Sequence, residues 1–382
     1  MKIVIAPDSF KGSLTALEAA RAVSKGIHRV EPEAECIEVP MADGGEGTVQ
    51  ALVDAHQGEI VRREVTGPTG ERVEARFGDL GDGRAVIEMA AASGITYVDV
   101  ESVDPRRTTT YGTGELIAAA LDRGAEHIIV GIGGSATMDA GVGMLQALGY
   151  EFKTESGEEA GFGGGELGKI VEVKTENVDN RLFGTKIEVA CDVSNPLYGP
   201  EGAARVYGPQ KGATPEMVEE IDENMKKFNE RIFKGEFDVD AQQVSGAGAA
   251  GGLGAGFSCV LDADMRLGAK IVAEANELKK QLGNAELVIT GEGQIDSQTV
   301  HDKAPRHVTE LAKKDSPGRP VICIAGSLGE GYRQNYEYGL EAIFSIIDRP
   351  DSLESIGART EKLLADTAEN VMRLAGLSRV QV

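Results

Sequence analysis

Two hydrophobic rhythms alternate along this chain. Short apolar runs bounded by glycine or polar turns predict buried strands at residues 2–6, 36–39, 86–90, 128–130, 187–190, 286–289, 321–324 and 342–347. Between them, apolar residues recur every three to four positions, the spacing of one helix face. Leu17, Ala20, Val23 and Ile27 form such a face, and Thr15 with Glu18 has capping-box spacing at its start. Val49, Leu52 and Val53 predict a second helix ending near Gly58, and Leu116, Ile117, Ala120 and Leu121 a third. Further helices are predicted at 140–148, 269–282, 304–314 and 352–374. Residues 215–235 read as a charged amphipathic helix with Met217, Val218, Ile221, Met225 and Phe228 inward.

The middle of the chain has a different texture. Residues 59–66 and 72–80 alternate apolar and polar positions around Gly67-Pro68-Thr69-Gly70, an antiparallel hairpin signal. Residues 154–166, rich in Gly and Glu, predict a surface loop, and residues 245–257 are almost all Gly and Ala. Strand–helix alternation at both ends predicts an α/β fold. A doubly wound domain is expected from residues 1–58 and 262–382, with a large mixed α/β domain, 59–261, inserted between. No repeat of solenoid period is visible.

The length of 382 residues suggests two or three domains. The formal net charge of −23 removes long-range attraction to nucleic acid or an anionic membrane. With 5% aromatic residues and no Trp, a surface built on aromatic stacking is not expected. Cys36, Cys191, Cys259 and Cys323 are far apart in sequence, so they read as buried free thiols of a reducing cytosol. No secretory signal is read ahead of the first strand, and no apolar run reaches the ~18 residues of a membrane helix. The five histidines show no metal-ligand spacing with acids.

Chemistry concentrates where strands meet glycines. The run 128–130 breaks into Gly131, Gly133, Gly134 and Ser135 before helical spacing resumes at Ala140. Strand, glycine loop, helix can aim several backbone N–H groups at an anion, with Ser135 and Thr137 as hydroxyl donors or helix caps. Asp8, Asp43, Asp192, Glu292 and Asp296 all stand at or after predicted strand ends, where open α/β sheets bind ligands. Acids beside glycine loops suit Mg²⁺ shared with phosphate oxygens. Lys11, among Ser9, Gly12 and Ser13, could hold a carboxylate or phosphate, and Lys211 lies in a similar loop. The chain has no G-x-x-x-x-G-K-[ST] and no H-R-D or D-F-G, which excludes the P-loop and protein-kinase types. Gly246-Ala-Gly248-Ala-Ala-Gly251 matches G-x-G-x-x-G in letters, but residues 238–244 make a poor strand. A glycine-lined wall or a hinge is the better reading of that stretch.

Seven segments in order carry a family resemblance. They are Ala6-Pro-Asp-Ser-Phe-Lys-Gly12, Pro40-Met-Ala-Asp-Gly-Gly-Glu-Gly-Thr48, Thr110-Tyr-Gly-Thr-Gly-Glu115 and Gly131-Ile-Gly-Gly-Ser-Ala-Thr-Met-Asp-Ala-Gly141, then Cys191-Asp-Val-Ser-Asn-Pro-Leu-Tyr-Gly199, Gly208-Pro-Gln-Lys-Gly212 and Thr290-Gly-Glu-Gly-Gln-Ile-Asp296. Along nearly its whole length the chain resembles the type-I bacterial glycerate kinases. The resemblance implies transfer of the ATP γ-phosphate to D-glycerate with Mg²⁺ in the cytoplasm, by a monomer or homodimer. It implies 2-phosphoglycerate as product, with the 3-phosphate as the second reading. It also implies a Rossmann-like domain carrying a large insert, with the active site in the cleft. On this reading Asp192 takes the hydroxyl proton, with Asp8 the other candidate, and Lys11 with Asp8 and Ser9 faces glycerate. Asn195 and Lys211 bind substrate. Gly133, Gly134, Ser135 and Thr137 hold nucleotide phosphates, and Asp43, Glu46 and Glu292 hold the metal. Asp302 and Arg306 stand where the family pattern expects glycine. Two rivals remain open: a nicotinamide-dependent oxidoreductase of a small hydroxy acid, and a non-catalytic small-acid sensor.

Overall fold

A computed structural model describes residues 1–301 and 303–377. The fold is α/β. Its strands among the described residues are β1 (Lys2–Pro7), β2 (Glu35–Glu38), β3 (Glu59–Thr66), β4 (Arg72–Asp79), β5 (Arg84–Glu88), β6 (His127–Gly131), β7 (Glu151–Thr154), β8 (Ile170–Lys174), β9 (Lys186–Ala190), β10 (Asp264–Arg266), β11 (Leu287–Ile295), β12 (Val321–Leu328) and β13 (Ala342–Ser345). The chain forms two compact units. One comprises Met1–Asp43, Gln50–Gln57 and the residues from Ala269 onward; the other comprises Gly44–Val49 and Gly58–Gly268. No helix among the described residues is long and apolar enough to cross a membrane.

The first unit is built on a five-stranded sheet in the order β13-β12-β11-β1-β2, parallel throughout. Side chains alternate across each strand. Ile3, Ile5, Ile289 and Ile324 meet Ala20, Val23 and Ile27 of the helix Ala16–His28 and Leu364 and Val371 of the helix Thr360–Leu377. Val4, Ala6, Val288 and Cys323, at the alternate positions, are buried as well. Burial on both faces is what a parallel sheet requires. Each large apolar side chain so buried contributes about 1.5–3 kcal/mol. The helix Ala16–His28 begins with the expected capping box of Thr15 and Glu18, while Leu17 is only half-buried. A Cβ at Gly26 would lie 2.1 Å from the Ala365 carbonyl oxygen, so glycine sets how closely these two helices cross.

The second unit holds a six-stranded mixed sheet, β10-β9-β6-β5-β4-β3. The β3–β4 hairpin and β5 pair antiparallel, whereas β5, β6, β9 and β10 run parallel. Phe77, Ile87, Val130 and Val189 from this sheet pack with Leu116 and Ile117 of the helix Tyr111–Asp122. Phe228 meets Phe152 and Phe233 ring to ring. A small antiparallel pair, β7 and β8, completes the unit's strands.

The departures from the sequence reading have physical causes. Strands β11 and β12 outrun their apolar cores because pairing continues through Gly291↔Ile324 and Glu292↔Ala325 to Ile295↔Leu328. Thr290-Gly291-Glu292-Gly293 and Ala325-Gly326-Ser327, beyond the strands predicted at 286–289 and 321–324, are therefore strand. A Cβ at Gly291 would stand 2.1 Å from the Ile324 oxygen, so glycine permits that approach. The helix expected over 269–282 breaks into Gly268–Ala275 and Leu278–Leu282 around Glu277, whose φ is +50°. The last helix likewise divides into Leu353–Gly357 and Thr360–Leu377. Residues 215–235 are helical throughout, as α-helix over Pro215–Phe228, a π turn over Asn229–Phe233 and α-helix again from Lys234, but Met217 is only half-buried. The loop 154–166 is not wholly superficial, since Ala160, Gly163 and Gly164 are buried. Residues 245–257 are no departure: they form an interior wall, one of the two readings of that stretch, with Ala249, Gly251, Gly252 and Leu253 all buried. Of the four free thiols, Cys259 and Cys323 are buried, but Cys36 and Cys191 are half-buried.

Candidate active site

In the first unit the acids gather beyond β1 and within β11. Asp8 follows β1, and its N–H donates to the Gly291 oxygen at 2.8 Å. Glu292 lies inside β11 rather than after it, is buried, and accepts the Thr299 hydroxyl at 2.7 Å. Burial pushes Asp8 up to about 7, helped by the charges of Asp43 and Glu292, while the Ser9 N–H and the Lys11 ammonium oppose the shift. Burial also pushes Glu292 up to about 7, opposed by Thr299 and Lys303 and reinforced by Asp296 and Asp43. The structure therefore brings Asp8, Asp43, Glu292 and Lys11 into one electrostatic neighbourhood. Lys11 is exposed and Ser9 half-buried. Among the described residues no three His, Cys, Asp or Glu are arranged to hold a metal unaided. Hard carboxylate oxygens short of positive charge do suit Mg²⁺ that takes one or two protein ligands and completes its shell with phosphate and water.

In the second unit four parallel strands end in register, at Glu88, Gly131, Ala190 and Arg266. The segment Gly44–Val49 lies on this rim. A Cβ at Gly131 would fall 2.2 Å from the Gly44 oxygen, and one at Gly44 would fall 2.5 Å from Ala190 Cβ. Only glycine allows the two backbones to touch there. Glu46 is exposed on this segment. Glu88 Oε1 accepts the N–H groups of Gly47 at 3.0 Å and Val49 at 2.9 Å. Asp192, exposed just past β9, accepts the Gly268 N–H on Oδ1 at 3.0 Å. Asn195 is engaged at both ends: its amide donates to the Glu201 oxygen, and its Oδ1 accepts the Tyr207 hydroxyl at 2.6 Å.

The glycine loop after β6 exposes Gly133 and Gly134 and buries Ser135 and Thr137. Neither hydroxyl caps the following helix, Val142–Ala147, as the sequence suggested. Asp139 does that work instead. Its carboxylate accepts the N–H groups of Gly141 and Gly143 at 3.2 Å, and the N–H and hydroxyl of Thr110 at 2.7 and 2.8 Å. Burial raises the Asp139 carboxyl against those bonds. Lys211 is 3% exposed, and its ammonium donates to Ser135 Oγ at 2.6 Å and the Thr137 oxygen at 2.8 Å. Burial pulls Lys211 down to about 7, with Asp139 opposing. Its charge is spent inside the loop rather than on open surface. Thr137 Oγ1 is buried without a protein partner. Behind the loop, Ala140 N–H donates to the Gly251 oxygen, and a Cβ at Gly251 would stand 1.8 Å from the Thr137 oxygen.

The letters G-x-G-x-x-G at 246–251 follow a 3₁₀ turn, Ala241–Gln243, not a strand, so the dinucleotide context is missing there. Arg306 stacks over the Tyr338 ring at 4.4 Å, and Asp302 lies outside the described residues. Sequence reasoning passed over Asp139, Thr110, Thr299 and Glu88. Asp139 stood inside a motif it had singled out, and Glu88 is the one charged residue of the run 86–90, which is the signal that could have found it.

Comparison with known proteins identifies the family. The family model described as the glycerate kinase family matches residues 3–376. A glycerate kinase of Bacillus subtilis is 51% identical over 372 residues, covering 97% of each chain. A glycerate 2-kinase of Escherichia coli is 48% identical, covering 98% of this chain and 100% of its own. The crystal structure of a protein assigned as glycerate kinase 2 of Salmonella typhimurium LT2 superposes with a TM-score of 0.92 at 47% identity, covering all of both chains. Glycine loops, rim carboxylates and relatives of about half identity along the whole length lead to one conclusion: this chain belongs to the glycerate kinase family and is a kinase.

Proposed function

We propose that the protein transfers the γ-phosphate of ATP to a hydroxyl of D-glycerate, giving ADP and 2-phosphoglycerate, with Mg²⁺ as cofactor and the cytoplasm as its compartment. The observation that carries this reading is the pairing of an exposed glycine turn, Gly133–Gly134, with rim carboxylates on a parallel edge. The name of the Escherichia coli relative favours the 2-phosphate. Four free thiols suit a reducing compartment.

Phosphoryl transfer needs positioning and charge neutralisation more than covalent chemistry. Backbone N–H groups of Gly133 and Gly134, with the hydroxyls of Ser135 and Thr137, hold the nucleotide phosphates. Lys211 and Asp139 brace that loop from behind, so Lys211 supports the site rather than reaching the substrate. Asp43, Glu46 and Glu292 hold Mg²⁺ directly or through water. When bound, Mg²⁺ neutralises phosphate charge and orients the transferring group. Lys11, with Asp8 and Ser9, faces the glycerate carboxylate, and Asn195 orients the acceptor end. Asp192, fixed by the Gly268 N–H and open to solvent, lines up the glycerate hydroxyl and takes its proton as the oxygen bonds to phosphorus.

The test is ADP release by the purified chain with Mg·ATP and D-glycerate, with enolase added afterwards. Glycerate-dependent ADP release and consumption of the product by enolase are expected. A product inert to enolase would move the assignment to the 3-phosphate. Glycerate binding without ADP release would replace the kinase reading with that of a sensor.

A further inference from the structure

Glu88 closes strand β5 after three fully buried residues, Ala85, Val86 and Ile87. Its main chain already completes the pairing with Gly131, so the sheet makes no demand for a carboxylate there. A half-buried charge is costly unless it is hydrogen-bonded. Here a single oxygen, Oε1, accepts two N–H groups, from Gly47 and Val49. The turn it grips has little stiffness of its own. Gly44 and Gly47 have φ of +90° and +99°, and the Thr48 hydroxyl reaches only as far as the Gly45 oxygen. That turn carries Glu46 and packs on Gly131.

From these contacts we infer that Glu88 is a positioning residue that anchors the Gly44–Val49 turn, and with it Glu46, on the rim of the second unit's sheet. It touches no reacting atom. It acts through two backbone N–H bonds that a glutamine oxygen could also accept, so the hydrogen bonds matter and the charge does not. For its effect on turnover, and only there, the inference rests on the kinase reading. Loss of a group that orients a metal ligand lowers affinity or activity by roughly 10–100-fold.

Two readouts on Glu88→Gln and Glu88→Ala decide it. The first is hydrogen exchange of the metal-free protein across residues 44–49. The second is the Mg²⁺ concentration giving half-maximal glycerate-dependent ADP release. In Glu88→Ala, exchange protection of the Gly47 and Val49 amides should vanish and the Mg²⁺ requirement rise roughly tenfold or more. Glu88→Gln should stay within about threefold of the parent in both. Should Glu88→Ala fail to fold, Glu88→Asp takes its place: it keeps the charge, loses one methylene of reach, and should lose protection. A glutamine variant as impaired as the alanine one would overturn the inference, because charge would then be the active property. So would unchanged protection in Glu88→Ala or Glu88→Asp. If the parent shows no turnover, the kinase reading falls, and the exchange experiment still decides the anchor.

Discussion

At the scale of single residues, Asp192 and Lys211 make opposite predictions. Asp192 is exposed and accepts the Gly268 N–H, which an asparagine oxygen can also accept, so Asp192→Asn should leave the fold intact. Its kcat should fall on the order of 10²-fold or more with little change in KM, by steady-state kinetics. If Asp8→Asn shows that pattern instead, Asp8 is the proton acceptor. Lys211 concerns stability. Its ammonium titrates near 7 in the folded protein and near the ordinary 10.5 once unfolded. Between those values the unfolded chain binds the extra proton, so this residue makes stability rise with pH from about 7 to about 10.5. Below 7 both states are protonated and its effect is flat. The Tm of the parent should therefore climb relative to Lys211→Met as pH is raised from 7 to 10 by thermal unfolding; a constant gap would mean no desolvated ammonium. The glycines and acids of the candidate site stand out in the sequence, but this inward turn does not. Gly208-Pro-Gln-Lys-Gly212 looks like an open loop, and its burial depends on Ser135 and Thr137, far away in the chain.

At the scale of elements, local chemistry was legible and neighbour effects were not. The capping box at Thr15 and the hairpin around Gly67 depend on residues a few positions apart, and both form as expected. The length of β11 depends on β12 continuing beside it, which no local pattern announces. Strands β7 and β10 carry one apolar residue each, Phe152 and Met265, so no apolar run marks them. The Gly/Ala wall shows the same dependence. Gly251 has φ of +70° and leaves no room for a Cβ beside Thr137. Gly251→Ala should cost about 2 kcal/mol or more and raise the KM for ATP, because the displaced atoms belong to the glycine loop. Gly184→Ala, where a Cβ meets nothing within 4 Å, should stay within about 0.5 kcal/mol. Thermal unfolding of the two variants side by side checks the pair.

For the whole molecule, a net charge of −23 favours expansion through self-repulsion. Added NaCl, from roughly 0.02 to 0.5 M, should raise the Tm by screening that repulsion; a falling Tm would mean that surface ion pairs dominate instead. A second consequence concerns the order of synthesis. Strand β1 is translated before the other strands of both units, yet it lies between β2 and β11, with Ile3 beside Leu287. β2 follows it closely, but β11, its neighbour on the other side, is made only after the strands of the second unit. The helix Ala16–His28 must wait longer still for the helix Thr360–Leu377. Closing so long a loop is slow, and an unpaired apolar strand edge invites wrong partners meanwhile. The second unit, almost unbroken from Gly58 to Gly268, has every strand of its sheets before the first unit can close. Birth order and fold order are thus reversed between the two units: β1, made before the second unit, waits for β11, made after it.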